Sequence, residues 1–294
     1  MAKLKSEPIQ TVDLLEYLRS HSDFSFELAI LQMLREKGLD CEHGGLYEDP
    51  VTGKSREFDI RSHKAISKYC VRLAIECKNI GENFPILISC MPRHEQESYH
   101  QVALLGERRT DSSFYVPSLA GSRAKTLDIQ GRFSIYKPGE PVGKSTVQVG
   151  RSFSDGSISA NDSELYEKWG QCLSSAADLV NRAYWDGRND DVYVDNTLSM
   201  VIPMVVVPNF RLWSVLYDDD GRRVSEPAQI NRCSCFIGKE YEMGPSRVSA
   251  ALSLSHVEIV TANGMISFVD DYIKTEQGLE RLFSSEGLIE AANR

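Results

Sequence analysis

Two short runs of period-two alternation constrain this chain more than anything else in it. In Glu57-Phe58-Asp59-Ile60-Arg61 the apolar side chains Phe58 and Ile60 are expected on one face of a strand and Glu57, Asp59 and Arg61 on the other. In Cys70–Lys78, Val71, Leu73, Ile75 and Cys77 alternate in the same way with Arg72, Ala74, Glu76 and Lys78. If the two runs form an antiparallel hairpin turning at Ser67 and Lys68, residues whose numbers sum to about 135 face each other. Phe58 then opposes Cys77, Ile60 opposes Ile75, Asp59 opposes Glu76 and Glu57 opposes Lys78. A slip of one residue would undo every one of these matches.

The flanking sequence supplies a helix before the hairpin and alternating elements after it. Asp13 with Glu16 marks one helix start, and a second helix runs from about Ser22 to Lys37, where Gly38 is a stop signal. Phe24, Leu28, Leu31 and Leu34 form its apolar stripe, and Glu27 falls on or beside that stripe, where a carboxylate is partly buried. Asp49-Pro50 and Thr52-Gly53 signal a reversal between two extended runs. Further strands are read in "FPILISCM", "MVIPMVVV", "RLWSVLYDDDGRR", "CSCFIG" and "HVEIVTA". Helices are read over 162–186, stopped by Gly187, and from about Ser267 to Phe283. The stretch 93–160 is poorly patterned and reads as an insertion. The fold class is α/β, with a central mixed sheet flanked by helices.

Two facing carboxylates repel each other, and a partly buried pair needs a cation. Mg²⁺ (or Mn²⁺ in its place) meets that need with a few carboxylate oxygens and open positions for water and phosphate; Asp59, Glu76 and the Cys77 carbonyl are candidate ligands. Lys78 would then orient or deprotonate a water and stabilise charge on a phosphate under attack. The plainer alternative makes Glu76 and Lys78 solvent-facing residues paired with Arg72 and Glu57, an arrangement worth roughly 0–1 kcal/mol.

The Glu27 helix, the "YEDPVTGKSREFDI" hairpin and the "AIECKN" strand together resemble the PD-(D/E)XK nuclease superfamily, the restriction-endonuclease-like fold. The resemblance implies a Mg²⁺-dependent endonuclease that hydrolyses phosphodiester bonds of nucleic acid, DNA first. It places Asp59 and Glu76 on the metal, Lys78 beside the nucleophilic water and Glu27 in support. It divides the single domain into a core of about 11–92 and 160–210, an insertion of about 93–160 and a C-terminal extension of about 211–294 with extra strands and a helix. A role in bacterial or phage-related defence and a homodimer or activating protein partner are further implications. Phe58 stands where the motif has its proline. A non-catalytic or partner-gated binding module on the same fold is the alternative.

Charge is distributed in two positive islands, as either a polyanion contact or an ordinary solvated face would have it, although the whole chain carries a net charge of −9. Lys54–Lys78 holds seven basic residues against three acids, and Arg56, Arg61, Lys64 and Arg72 within it are candidate substrate contacts. A second cationic stretch contains Arg108, Arg109, Arg123, Lys125, Arg132 and Lys137. Seven scattered cysteines without a Cys-x-x-Cys pair point to a reducing, cytoplasmic setting, and no segment reads as a leader or a membrane span.

Other signals carry less. "PGEPVGKST" spaces Gly139 and Gly143 by three residues where a phosphate-binding loop needs four. Cys233 and Cys235 lack zinc-site partners and read as core residues. His94 and His100 flank a polar segment that reads as solvated. His43 and His63 lie near the acids without a required role.

Overall fold

The computed structural model describes residues 7–20, 22–49, 52–105, 124–152, 154–186, 197–243 and 250–293. Arg108, Arg109, Arg123, Pro50 and the Gly187 stop lie outside the described residues. Helices α1 (Thr11–Ser20) and α2 (Asp23–Glu36) precede the hairpin strands β1 (Asp40–Glu48), β2 (Ser55–Ile66) and β3 (Tyr69–Cys77). Then follow β4 (Ile86–Pro92), β5 (Tyr99–Leu105), β6 (Ala124–Gln130), β7 (Pro141–Arg151), β8 (Ile158–Asn161) and the long helix α3 (Ser163–Asp186). The chain continues through β9 (Thr197–Val207), β10 (Leu212–Leu216), β11 (Ala228–Gln229), β12 (Arg232–Met243) and β13 (Ala250–Thr261). It closes with α4 (Ala262–Phe268), α5 (Glu276–Phe283) and α6 (Ser285–Ala292).

A mixed sheet runs in the order β1-β2-β3-β9-β13-β12-β7-β4-β10-β11, with β5, β6 and β8 branching from it. Its centre is β9, whose "LSMVIPMVVV" run is buried on both faces and therefore needs partners along both edges. Parallel β3 takes one edge from Leu198 to Val206. The other edge is divided: antiparallel β5 pairs residues 197–199, and parallel β13 pairs residues 204–207. The stretches read from sequence as an insertion and an extension both add strands to the sheet. The stretch 93–160 supplies β5 and β7 to this same sheet, and the C-terminal part lays β13 directly against β9.

Alternate residues of β3 and β9 face two different layers. Leu73, Ile75, Cys77, Ile202 and Met204 pack beneath α2 and the α4–α6 group with Ile30, Leu34, Met265 and Phe268. Ala74, Val201 and Val205 face α3 with Ala176, Val180 and Cys172. Small residues on α3 let it sit close to the sheet, so that the Cys172 thiol reaches the Ala74 carbonyl at 3.4 Å. On α2 the buried positions are Ile30, Leu31 and Leu34, while Phe24 and Leu28 of the expected stripe are exposed.

The single C-terminal helix expected over Ser267–Phe283 is the end of α4, a π-turn and α5, and α6 follows it. A π-turn at Val269–Ile273 ends α4, and Thr275 starts α5 by accepting the Gly278 N–H. Among the described residues, no helix is long and apolar enough to cross a membrane.

Candidate functional site

The hairpin register is the one the alternation predicts, up to a point. Ile66 pairs Tyr69 across a two-residue turn with Ser67 at φ 53°, and the ladder runs to Ile60 opposite Ile75, where it stops. On the other edge of β2, His43 pairs Ile60 and Gly45 pairs Phe58, with Gly44 and Asp59 between them left out of the pairing. Gly44 adopts a left-handed φ of 59°, which a residue with a side chain rarely takes. Phe58 consequently does not lie opposite Cys77. Its ring sits against Tyr47 and under the Arg61 guanidinium, 4.2 Å from the ring centre.

This break gives Asp59 its position. In place of a backbone acceptor, the Cys77 N–H finds the Asp59 side chain, donating to Oδ2 at 2.7 Å. Asp59 and Glu76 are thereby held at the end of the hairpin on the side covered by α3. Glu76 is only 1% exposed. Its Oε1 is buried without a hydrogen-bond partner.

The cation between the two acids is Lys168, from the first half of α3. Its ammonium donates to Asp59 Oδ2 at 2.8 Å and to Glu76 Oε2 at 3.2 Å. Burial, and secondarily the charge of Asp59, push the Glu76 carboxyl up to about 8 despite the opposing pull of Lys168. Burial alone would lower the Lys168 ammonium, but the charges of Glu76 and Asp59 outweigh it and hold the group above the usual lysine range. Lys168 escaped the sequence reading although it left a signal there. It falls three residues after Leu165 and four before Cys172, inside the buried stripe of α3, the same kind of signal that Glu27 gives on α2.

The other predicted residues gather nearby in different roles. Glu27 is raised by burial and then by the Asp59 charge, and it is hydrogen-bonded to His43 Nε2 at 3.3 Å. Lys78 forms an ion pair with Asp23 of α2 at 3.3 Å, next to the Asn79 N–H that donates to the same carboxylate at 2.7 Å. The start of α2 is thus fastened to the end of β3. Among the described residues, no group of three or more His, Cys, Asp or Glu side chains is gathered closely enough to hold a metal ion.

The candidate substrate contacts separate. Arg61 is a correction: it is 3% exposed and bonds to Asp178 and Ser175 of α3, so it holds a helix to the sheet and has no access to a phosphate outside. Arg56 pairs with Asp49, Lys64 donates to the Gly38 carbonyl at 2.6 Å, and Arg72 donates to Ser199 Oγ at 2.6 Å. Arg72 lies four residues before Glu76 along β3, about 13 Å at ordinary strand rise. Comparison with protein families, with curated proteins and with solved structures gives no match to this chain.

Proposed function

We propose that this chain is a metal-dependent nuclease of the PD-(D/E)XK type, acting on DNA, with Asp59, Glu76 and Lys168 as its reactive centre. The observation that carries the reading is the pair of carboxylates converging at the end of a hairpin with a buried, unpartnered oxygen on one of them. Orphaned buried polar atoms are rare and call for an explanation such as a ligand or ion. Hard oxygen donors from two acids suit Mg²⁺ or Mn²⁺, with substrate and water as the remaining ligands. Asp59 and Glu76 would hold the ion, which when bound supplies Lewis acidity toward a phosphoryl oxygen.

The chain's own groups divide the remaining work. Lys168 is held protonated, so it acts as a fixed positive charge beside the reacting phosphate and is unsuited to accept a proton. Glu76, held up to about 8, carries a proton near neutrality that it must release before it can serve as a ligand. Lys78, paired with Asp23 just past the end of β3, contributes positive potential near the acids. Lys64, Arg56 and Arg72 are the proposed contacts to the DNA backbone.

One observation favours a second reading. Lys168 already bonds to both acids, as in a metal-free structural triad, and this suits a binding module or an enzyme that stays closed until a partner arrives. Cleavage of supercoiled plasmid in Mg²⁺, Mn²⁺ or EDTA by wild type, Glu76→Gln and Lys168→Ala separates the two. Metal-dependent cleavage lost in Glu76→Gln supports the nuclease. Cleavage unchanged in that variant removes the triad from the chemistry, and inactivity without Mn²⁺ binding favours the binding module.

A further inference from the structure

The opposite face of the sheet carries a second polar cluster, unconnected with the acids. Glu258 on β13 pairs Met204 of β9, and Met204 faces the core beneath α2, so Glu258 and its neighbours lie on the side away from α3. Glu258 is fully buried and receives two bonds of 2.8 Å from Nε and Nη2 of Arg232. Arg93, just after β4, is 4% exposed. Its Nη2 donates to Ser234 Oγ at 2.6 Å, its Nη1 to the Lys137 carbonyl at 2.9 Å, and its Nε is buried without an acceptor.

Both arginines line one cavity of about 270 Å³, together with Ser214, Ser234, Tyr136 and Ile230. Two buried or half-buried arginines face one fully buried carboxylate. The other nearby acid, Glu140, is half-exposed at the cavity rim, with Oε2 3.5 Å from Arg93 Nη1. Arg93 and Glu258 balance in the enclosed part and Glu140 meets Arg93 from the rim, but the buried Arg93 Nε keeps no acceptor, a costly unsatisfied donor in a low-dielectric interior. Glu258 takes Nε and Nη2 of Arg232, whose guanidinium also lies 4.7 Å from the Phe268 ring centre. Ser234 accepts from Arg93, which leaves its own hydroxyl hydrogen to donate elsewhere.

The geometry points to a binding site for a phosphate monoester of mononucleotide size or smaller. Converging guanidinium and hydroxyl donors match a tetrahedral oxyanion with several peripheral oxygens. The Tyr136 ring, stacked on His256 at 3.7 Å, and Ile230 form an apolar wall for the organic part, and the cavity volume is on the scale of a small phosphate monoester. The inference is independent of the nuclease reading, because none of its residues lies near Asp59 or Glu76 in the sheet.

Calorimetric titration of the whole chain with inorganic phosphate, AMP and adenosine tests it. AMP and phosphate should bind competitively and adenosine should not bind. Ser214→Asp, which places a negative charge in the cavity from a partly exposed strand position, should weaken both anions at least about tenfold. Arg232→Lys keeps a cation for Glu258 but loses the fork, and should weaken them too, while Lys168→Ala should change neither affinity. Absence of binding to the folded wild type overturns the proposal. So does binding that survives both cavity variants, or that disappears in Lys168→Ala whose circular dichroism shows it folded, which would place the anion at the acid site instead.

Discussion

Lys168 and Asp59 stand 109 residues apart in the chain and 2.8 Å apart in the fold. The contact exists because α3 crosses the face of the hairpin on which both acids lie, with the ammonium on the helix's buried stripe. It makes Lys168 the internal counterion of a site that would otherwise gather negative charge.

Removing that counterion should be costly, and a divalent ion should repair the damage. Lys168→Met leaves Asp59 and a buried Glu76 facing each other, a loss of about 3–5 kcal/mol for a broken buried pair. If the acids form a metal site, millimolar Mn²⁺ should restore much of the variant's stability in urea titrations while stabilising wild type less. Equal effects of Mn²⁺ on both proteins would argue that the acids do not bind it.

Glu76 also sets a pH dependence whose sign follows from its raised carboxyl. Its value of about 8 in the fold exceeds the 4.5 of an ordinary glutamate, so the folded state binds the extra proton between those values. Its contribution is therefore complete below about 4.5 and is lost as pH rises through 8, at up to about 1.4 kcal/mol per pH unit. Glu76→Gln should flatten that part of a stability-against-pH profile. Because a ligand carboxyl must release its proton, Mn²⁺ affinity should climb with pH over the same window, and calorimetry at pH 6 and 8 would show it.

The histidines of the opposite face act in the other direction. Burial lowers His100 to about 4, and burial followed by the charges of Arg93, His100, Arg232 and Lys144 lowers His256 to about 2, both from 6.5. A folded base held neutral contributes stability that is present above 6.5 and lost as pH falls below it, since the unfolded chain takes up the protons. Together they should steepen acid unfolding below pH 6.5 by up to about 3 kcal/mol per pH unit. His256→Gln, which keeps a polar partner for Ser255 at the position now bonded at 2.9 Å, should make the acid limb of a thermal-melt series shallower. An unchanged limb would place the acid sensitivity elsewhere.

What could be read from sequence follows the range of the interactions involved. The Ile60–Ile75 register and the two-residue turn were legible because alternation and turn lie within one hairpin. The release of Asp59 from the ladder was not, because it depends on the backbone of Gly44 in the next strand and on the Cys77 N–H turning to a side chain. Lys168 was legible in principle, as a charge on an apolar helical stripe, yet only the fold reveals what it faces. The placement of β13 beside β9 had no local signature, since a strand buried on both faces reads the same whichever neighbour completes it.

Arg61 separates a positioning role from a substrate contact. Its guanidinium bonds to Asp178 Oδ2 at 2.6 Å and to Ser175 Oγ at 3.1 Å, tying β2 to the helix that carries Lys168. Arg61→Met keeps most of the apolar stem but leaves Asp178 with Arg182 as its remaining ion-pair partner, 3.1 Å away on the same helix. The expected cost is about 3 kcal/mol in urea unfolding, at the low end for a broken buried pair because Asp178 keeps that partner. If Arg61 acts only through α3, the salt dependence of DNA binding should keep the wild-type slope, because no phosphate contact is lost. Lys64→Ala should lower that slope by about one if Lys64 reaches a phosphate. A reduced slope in Arg61→Met would mean that the arginine swings out of the interior to meet DNA, and that α3 is released when it does.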